Sequence, residues 1–503
     1  MDKRFALISV YNKSGLDKLA KTLQKLGLVI IATGGTAKFL QDHDISYTPI
    51  EKITGNPESF NGRMKTLSFE IMSGILFDRD NNKQVKEVSI LKIPKIDVVV
   101  CNFYPFWEKQ TLEMMDIGGP TMVRAAAKNF PHVTVAVDPS DYGIFDSEIT
   151  ADKRQELAAK ALSYVANYDV QISNYFSQKT GLFDRHFIAM DGGVILRYGE
   201  NPHQKGYFYQ NPLENDKLSL GSFKILQGKS PSFNNLLDVS AGIETVSLIN
   251  QKKPVCVIIK HTNPCGAALG FDLKDAFEKA WFKGDPLAAF GGVIIFNKTV
   301  TGELAKQMLS GKKFFEVVAA PHFEKEALLV FAQKPKRQLW ENEALGTPYL
   351  LPYEDVKKIR GGFLVQDGDT YQITEKDFKV VTRKKPTKQE VADLLFAFKI
   401  AQVSKSNAVA VAKNGVLLSS GVGQQDRKRC CQLCVSKAVS SLKGASAATD
   451  GFFPFRDGPD VLMKAGISAI AQPGGSIRDR EVIDACDEKE VAMVFTGVRN
   501  FRH

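Results

Sequence analysis

Val255-Cys256-Val257-Ile258-Ile259-Lys260-His261-Thr262-Asn263-Pro264-Cys265-Gly266 is the most informative stretch of this chain. Five apolar, mostly β-branched residues in a row read as a strand buried on both faces, as in an α/β layer protein. The strand ends on a Lys-His pair, and Pro264-Cys265-Gly266 reads as a turn. Strand ends of open α/β sheets are where ligands bind. An ammonium there can stabilise a developing oxyanion, and an imidazole can move protons near neutral pH. Taken alone, the pair reads equally as a solvated Lys and a turn His, so its meaning depends on the rest of the chain.

The chain has 503 residues, enough for about two to four domains. At 44% apolar and 24% charged it has a globular composition. No apolar run approaches the ~18–20 residues of a membrane helix. The opening Phe5-Ala6-Leu7-Ile8-Ser9-Val10 is a strand rather than a signal peptide, so the cytoplasm is the expected location. The seven Cys are scattered and odd in number, which argues against a disulfide framework. Cys431-x-x-Cys434 has no second Cys or His pair to complete a zinc site. The zinc deaminase signature, His-x-Glu followed by Pro-Cys-x-x-Cys, also fails. Cys265 has no Cys three residues on, and His322-Phe323-Glu324 comes after it rather than before. The net charge of +10 is compatible with nucleic acid. The basic residues are dispersed, however, and Arg383-Lys384-Lys385 and Arg427-Lys428-Arg429 lack interleaved aromatics. Such a field suits small anionic substrates equally well.

The first ~130 residues alternate strands with helices. Strands are expected at Leu28–Ala32, Ile96–Cys101 and Val133–Val137, with a long helix from about Ala151 to Ser177. A boundary near Asp191-Gly192-Gly193 divides the chain into domains 1–190 and 191–503. In the second, strands are expected at 255–259, 292–296, 317–320, 408–412 and 491–495. The similar layout of 255–296 and 408–423 suggests two related subdomains. The polar, Pro- and Gly-broken span 325–390 reads as their connection.

Several segments have the composition of sites. Thr33-Gly34-Gly35-Thr36, between a strand and the helix opening at Ala37, suits phosphate binding. Arg63-Met64-Lys65-Thr66 offers a second anion clamp. Asp116-Ile117-Gly118-Gly119-Pro120 precedes a helix, Thr121 to Lys128, which Asp116 can either cap or leave for a ligand. Arg197-Tyr198-Gly199-Glu200-Asn201-Pro202-His203-Gln204 is a polar loop. Phe452-Phe453-Pro454-Phe455-Arg456-Asp457 offers an aromatic wall, and Gln472-Pro473-Gly474-Gly475-Ser476 is a further Gly-rich turn.

In this order, and over nearly the whole chain, the segments resemble the bifunctional AICAR transformylase/IMP cyclohydrolases of purine biosynthesis, AICAR being 5-aminoimidazole-4-carboxamide ribonucleotide. Further markers are Cys101-Asn102-Phe103-Tyr104-Pro105-Phe106, Phe290-Gly291-Gly292, Ser406-Asn407, Gly423-Gln424-Gln425 and Thr496-Gly497-Val498-Arg499. The resemblance implies an α/β protein: an N-terminal methylglyoxal-synthase-like cyclohydrolase domain (1–190), then a transformylase (191–503) of two cytidine-deaminase-like subdomains without zinc. It implies 10-formyltetrahydrofolate as cosubstrate, no metal, and AICAR and formyl-AICAR/IMP as ligands. It also implies a homodimer with transformylase sites at the subunit interface, and no nucleic-acid or membrane partner.

By resemblance, Lys260 and His261 catalyse formyl transfer, while Lys65, Tyr104, Asp116 and Lys128 surround the ring closure. Arg197, Tyr198, Asn235, Phe290, Gly291, Glu316, Asn407, Arg427, Phe452 and Arg499 bind AICAR, with Asp457 and Ser476 near folate. Asn12, Lys13, Thr33, Gly34, Gly35, Thr36, Arg63, Thr66, Cys101, Asn102 and Ile117 bind the cyclohydrolase substrate.

The chain departs from the family pattern at Ser68-Phe69 and Ile71-Met72, where His-Pro and an apolar-His pair are usual. The span from Tyr104 to Asp116 is short, the identity of the acid at Glu316 varies, and Asn500 stands in place of a usual His. Two alternatives therefore stand at this stage: a transformylase with a weakened cyclohydrolase, and a basic nucleic-acid-binding protein.

Overall fold

The structure, a computed structural model, describes residues 3–57, 59–60, 65–181, 186–211, 216–249 and 252–503; Arg63 and Met64 lie outside it. The chain forms two compact units. One runs to Asp191 and includes Asn211; the other comprises Gly192–Gln210 and the chain from Asp216 to His503.

The first unit runs β1 (Arg4–Val10), α1 (Leu16–Lys25), β2 (Leu28–Ala32), α2 (Gly34–Asp42), β3 (Thr48–Pro49), α3 (Glu51–Thr54), α4 (Phe69–Leu76), α5 (Asn82–Ile90), β4 (Lys95–Asn102), α6 (Gly118–Lys128), β5 (Thr134–Ala136) and α7 (Ala151–Thr180). Its sheet is parallel, in the order β3-β2-β1-β4-β5. Alternation along β1 buries Leu7 on one face and Ala6, Ile8 and Val10 on the other, so each face carries its own apolar core. The strand order reverses between β1 and β4, which opens a crevice at their carboxyl ends. Two boundaries differ from expectation. α2 starts at Gly34 and α6 at Gly118, because small residues let a helix begin directly against its neighbours. A Cβ at Gly118 would collide with the Thr66 hydroxyl.

The second unit begins with β6 (Asp191–Ile195) and β7 (Tyr207–Gln210), which pair with each other. There follow β8 (Lys224–Gln227), α8 (Phe233–Ile249), β9 (Val255–Lys260), β10 (Asn263–Leu269), α9 (Leu273–Lys283), α10 (Pro286–Ala289), β11 (Gly292–Phe296), α11 (Gly302–Leu309), β12 (Phe315–Ala320), α12 (Lys325–Phe331) and β13 (Gln338–Glu341). A two-stranded hairpin, β14 (Glu354–Ile359) and β15 (Gly362–Asp367), intervenes. The chain then continues through β16 (Lys379–Val380), α13 (Lys388–Val403), β17 (Val409–Lys413), β18 (Val416–Gly421), α14 (Arg427–Lys437), β19 (Ser446–Thr449), α15 (Asp457–Lys464), β20 (Ala469–Gln472), α16 (Asp479–Glu488) and β21 (Ala492–Phe495).

Twelve of these strands form one sheet, β16-β21-β20-β19-β17-β18-β10-β9-β11-β12-β13-β8. Reading outward from the β10–β18 junction, both directions give the same series of pairings: antiparallel, antiparallel, parallel, parallel, antiparallel. The helices repeat too, α8, α9, α11 and α12 in one half and α13, α14, α15 and α16 in the other. Residues 224–341 and 379–495 are thus two copies of one topology, joined antiparallel at Ala268–Val416. Cores lie on both faces, Cys256 and Ile258 pointing into one and Val255, Val257 and Ile259 into the other.

The structure corrects two expectations. Pro264-Cys265-Gly266 belongs to strand β10, and the turn is His261-Thr262, both with positive φ (51° and 63°). Gly266 serves close packing rather than turning, since a Cβ there would strike the Ala280 carbonyl on α9. Nor is 325–390 simply a connection, because α12 and β13 complete the first half of the large sheet.

Candidate active sites

In the first unit the predicted residues gather at the switch crevice. Asn102, at the end of β4, accepts the Tyr11 and Asn12 N–H groups on Oδ1 (2.7 and 2.8 Å) and donates to the Asn12 carbonyl (3.1 Å). This ties the loop after β1 to the end of β4 and holds Lys13 nearby. Thr36 accepts from Val10 N (3.0 Å) and so pins α2 to β1. Both lysines face the start of α2: a Cβ at Gly34 would lie 3.2 Å from Lys65 Nζ, and one at Gly35 would lie 3.8 Å from Lys13 Nζ. Helix N-termini carry partial positive charge and N–H groups without intrahelical partners, so this end is a cationic cradle. Thr33 is buried at its base, 3.5 Å from Ser9 Oγ.

On the other side of the crevice, Asp116 caps α6 by accepting the Gly119 N–H (2.7 Å), and Tyr168 donates its phenol to the Met114 carbonyl while accepting Asp116 N. Burial raises the Asp116 carboxyl above its ordinary range, against the opposing effect of the Gly119 and Tyr104 N–H groups. Cys101 is pushed well up by its own burial and by Asp116, which makes it an inert wall rather than a nucleophile. Tyr104 and Ile117 are exposed, and the Tyr104 ring lies edge-on to Tyr11 at 5.8 Å. Lys128 is exposed at the end of α6. At the positions that depart from the family pattern, Ser68 accepts the Ile71 N–H (3.2 Å) as the α4 cap, and Met72 packs on the core.

In the second unit the predicted residues lie along one edge of the twelve-stranded sheet. β9 ends there and β11 and β12 begin there; β17 begins there, and β18, β19, β20 and β21 end there. At its centre is the His261-Thr262 turn, whose exposed imidazole faces solvent. Asp238 on α8 accepts Thr262 N (2.7 Å), and its carboxyl is raised by burial while the Thr262 and His261 N–H groups and the charges of His261 and Lys260 pull it down. Lys260 Nζ donates to the Gly291 carbonyl (3.2 Å). The Phe290 ring is exposed and lies 5.3 Å from that of Phe314.

On the first-half side, buried Asn235 donates to Glu316 (2.9 Å) and accepts from Gln338 (2.9 Å) and Arg197 (3.3 Å). The Arg197 guanidinium lies 5.6 Å from the Tyr198 ring. On the second-half side, buried Arg427 is held by Asp450, the Ala408 carbonyl (3.0 Å) and Asn407 Oδ1 (2.6 Å). Gly451 lets Arg427 and Phe501 approach, because a Cβ there would lie 2.7 Å and 2.5 Å from them. Arg499 stacks on Phe501 at 4.5 Å, and Phe452, next to Gly451 in sequence, is exposed. Asp457 lies 3.8 Å from Lys428, and Ser476 turns its hydroxyl to the Arg478 N–H. Lys405 N donates to Asn263 Oδ1 (2.9 Å), so the two halves are stitched together beside His261.

Sequence reasoning missed Asp238 and Asp450. Asp450 carries a signal, an acid immediately after the buried strand 446–449, whereas Asp238 is one acid among many on a helix. Among the described residues, the only group of side chains spaced to hold a metal is Asp78, Asp80 and His132, at the opposite end of the first-unit sheet from the crevice. No described helix is long and apolar enough to cross a membrane.

A family model described as AICARFT/IMPCHase bienzyme matches residues 126–437, and one described as MGS-like domain matches 15–127. The chain is 45% identical to the bifunctional purine biosynthesis protein PurH of Aquifex aeolicus (strain VF5), covering 99% of this chain and 100% of the relative. It is 42% identical to PurH of Caldicellulosiruptor saccharolyticus, with 99% of each chain covered. PurH of Thermoanaerobacter sp. (strain X514) is 41% identical, again with 99% of each covered. These matches favour neither alternative left open above. With similarity running from end to end, the chain belongs to the AICARFT/IMPCHase bienzyme family and is a bifunctional AICAR formyltransferase and IMP cyclohydrolase of purine biosynthesis.

Proposed function

We propose that the two reactions use the two clusters separately, formyl transfer on the large-sheet edge and ring closure in the first-unit crevice. The observation that carries this is the His261-Thr262 turn: Asp238 holds it, and Lys260 and the Asn407–Arg427–Asp450 cluster share its edge. The 5-amino group of AICAR attacks the formyl carbon of 10-formyltetrahydrofolate. His261 takes the proton the amine loses, and Lys260 faces the oxyanion of the tetrahedral intermediate. Collapse releases N10 of the folate, which takes up a proton. Arg197, Tyr198, Gly291, Glu316, Asn407, Arg427, Phe452 and Arg499 hold AICAR in this reading, with Asp457 and Ser476 toward the folate. Since Arg427 is already engaged by three partners, it shapes the pocket mainly through Asn407.

In the second reaction the carboxamide nitrogen attacks the new formyl carbon and water leaves. The Gly34–Thr36 helix start, with Lys13 and Lys65, takes the nucleotide phosphate. Lys65, Tyr104, Asp116 and Lys128 surround the closing ring. A carboxyl whose affinity for protons is raised suits protonation of the departing hydroxyl.

We further infer a homodimer and a reducing compartment. Val194, Ile195, Tyr207 and Tyr209 on β6–β7, and Phe363, Leu364 and Val365 on β14–β15, expose apolar surface of the kind that subunits cover. All seven cysteines are free and buried. Light scattering reads the dimer directly. The decisive functional test is purified protein with AICAR and 10-formyltetrahydrofolate, followed by IMP absorbance. Turnover is expected, and His261→Ala is expected to lose it while still closing supplied formyl-AICAR. Loss of both activities in a folded variant would refute two separate sites.

A further inference from the structure

The internal repeat creates a second pocket on the edge of the large sheet opposite His261. The repeat relates the His261-Thr262 turn to Asn414-Gly415, and Asp238 to Asp393, each the sixth residue of its helix. Asp393 accepts Asn414 N (2.9 Å) and Gly415 N (2.8 Å), as Asp238 accepts Thr262 N. It likewise relates Asn407, two residues before β17, to Lys253, two residues before β9. Around Asn414-Gly415 lies a cavity of about 690 Å³, within the ~300–1,000 Å³ usual for small-ligand sites.

Its charge differs from that of the catalytic edge in a way that identifies a ligand class. Six residues beyond each clamping aspartate stand Glu244 on α8 and Lys399 on α13. Glu244 is neutralised by Arg502 (2.6 Å), but Lys399 is half-buried in the cavity wall and has no carboxylate partner among the described residues. Burial depresses its affinity for a proton, and no neighbouring carboxylate opposes this. Lys253 adds an exposed cation at the rim. The acids present are committed, Asp393 to the turn and Asp275 to Lys279 (2.6 Å). Gln389 is turned to Asp393 (3.2 Å), and the rest of the wall is mostly apolar, from Leu269, Leu395, Phe396 and the Phe271 ring, which is 83% exposed.

We propose that this pocket is a ligand site, distinct from both catalytic sites, for a small organic anion with a flat apolar ring, its anionic group on Lys399. The site rests on the sheet's repeat and not on the roles given to Lys260 and His261. A probe with this chemistry is 8-anilinonaphthalene-1-sulfonate, titrated by fluorescence into the full-length protein with the catalytic sites saturated by AICAR. One saturable class of binding is expected. Lys399→Met is expected to weaken it on the order of tenfold, the scale of losing one charge-assisted contact. Phe271→Ser, at a residue too exposed to endanger folding, is expected to weaken it several-fold, and both variants should keep wild-type formyl transfer. Equal binding by wild type and both variants, displacement of the probe by AICAR, or absence of saturable binding would each overturn the proposal.

Discussion

The two hairpins at the centre of the large sheet are built alike and filled differently. In the second half the turn is Asn414-Gly415, with φ of 53° and 69°, the residues that left-handed two-residue turns favour. In the first half the same turn is made by His261-Thr262, one a bulky ring and the other β-branched, at φ 51° and 63°. A non-glycine residue in this region costs of order 1–3 kcal/mol. One copy thus carries a sequence suited to making the turn, and the other carries a sequence suited to something else. The aspartate clamp persists in both, so the clamp belongs to the scaffold, and the imidazole is what sets the first copy apart.

The comparison can be broken most sharply at His261. His261→Ala should lower formyl transfer by about 10²–10⁴-fold, the usual contribution of a general base, with ring closure of formyl-AICAR unchanged. The two activities measured on one preparation decide it. Next come the clamps. Asp238→Ala should cost roughly 10- to 100-fold in kcat, because a displaced base misses its proton, with little change in KM for AICAR. Asp393→Ala should instead cost about 2–4 kcal/mol of stability, from two unpaired N–H groups, with formyl transfer per folded molecule preserved. Equal kinetic losses in the two clamp variants would erase the distinction between the halves.

A smaller effect is expected from Thr262→Gly, which relieves one left-handed residue. It should raise the denaturant midpoint by an amount worth about 1 kcal/mol or less, since glycine also gains freedom in the unfolded chain. The smallest is a pH effect. The folded Asp238 carboxyl holds its proton more tightly than the unfolded one, so the native state binds more protons and stability falls as pH rises through that window. Asp238→Asn lacks this loss. Its stability relative to wild type should grow with pH across the window, as melting curves at a series of pH values will show.

Much of this was legible beforehand. Apolar runs such as 255–259, 292–296 and 408–412 are strands because both of their faces are buried, and nothing competes with that signal. The Lys260-His261 pair and several crevice residues stand out in the sequence because they sit at strand ends. What was misread was punctuation. Pro264 and Gly266 look like a turn, but Pro264 opens a strand and Gly266 makes room for α9. Asn414-Gly415 between two apolar runs is itself a hairpin signal. Lys325–Glu341 looked like a connection because β13 is only four residues long and lies among polar neighbours. The palindromic order of the sheet was invisible, since it depends on one junction between strands about 150 residues apart in the chain, Ala268 and Val416. Asp238 could not be singled out because its role exists only once α8 lies beside the turn.

The Lys405–Asn263 bond carries a wider consequence. Because β10 and β18 run antiparallel, the two turns point to opposite edges, and each edge draws half of its groups from the other copy. A lone half would have completed such an edge only by associating with a twin, which would have produced two identical clefts at once. Within one polypeptide that equality is not enforced. The two clefts therefore need not match: the helix position that is Glu244 in one half is Lys399 in the other.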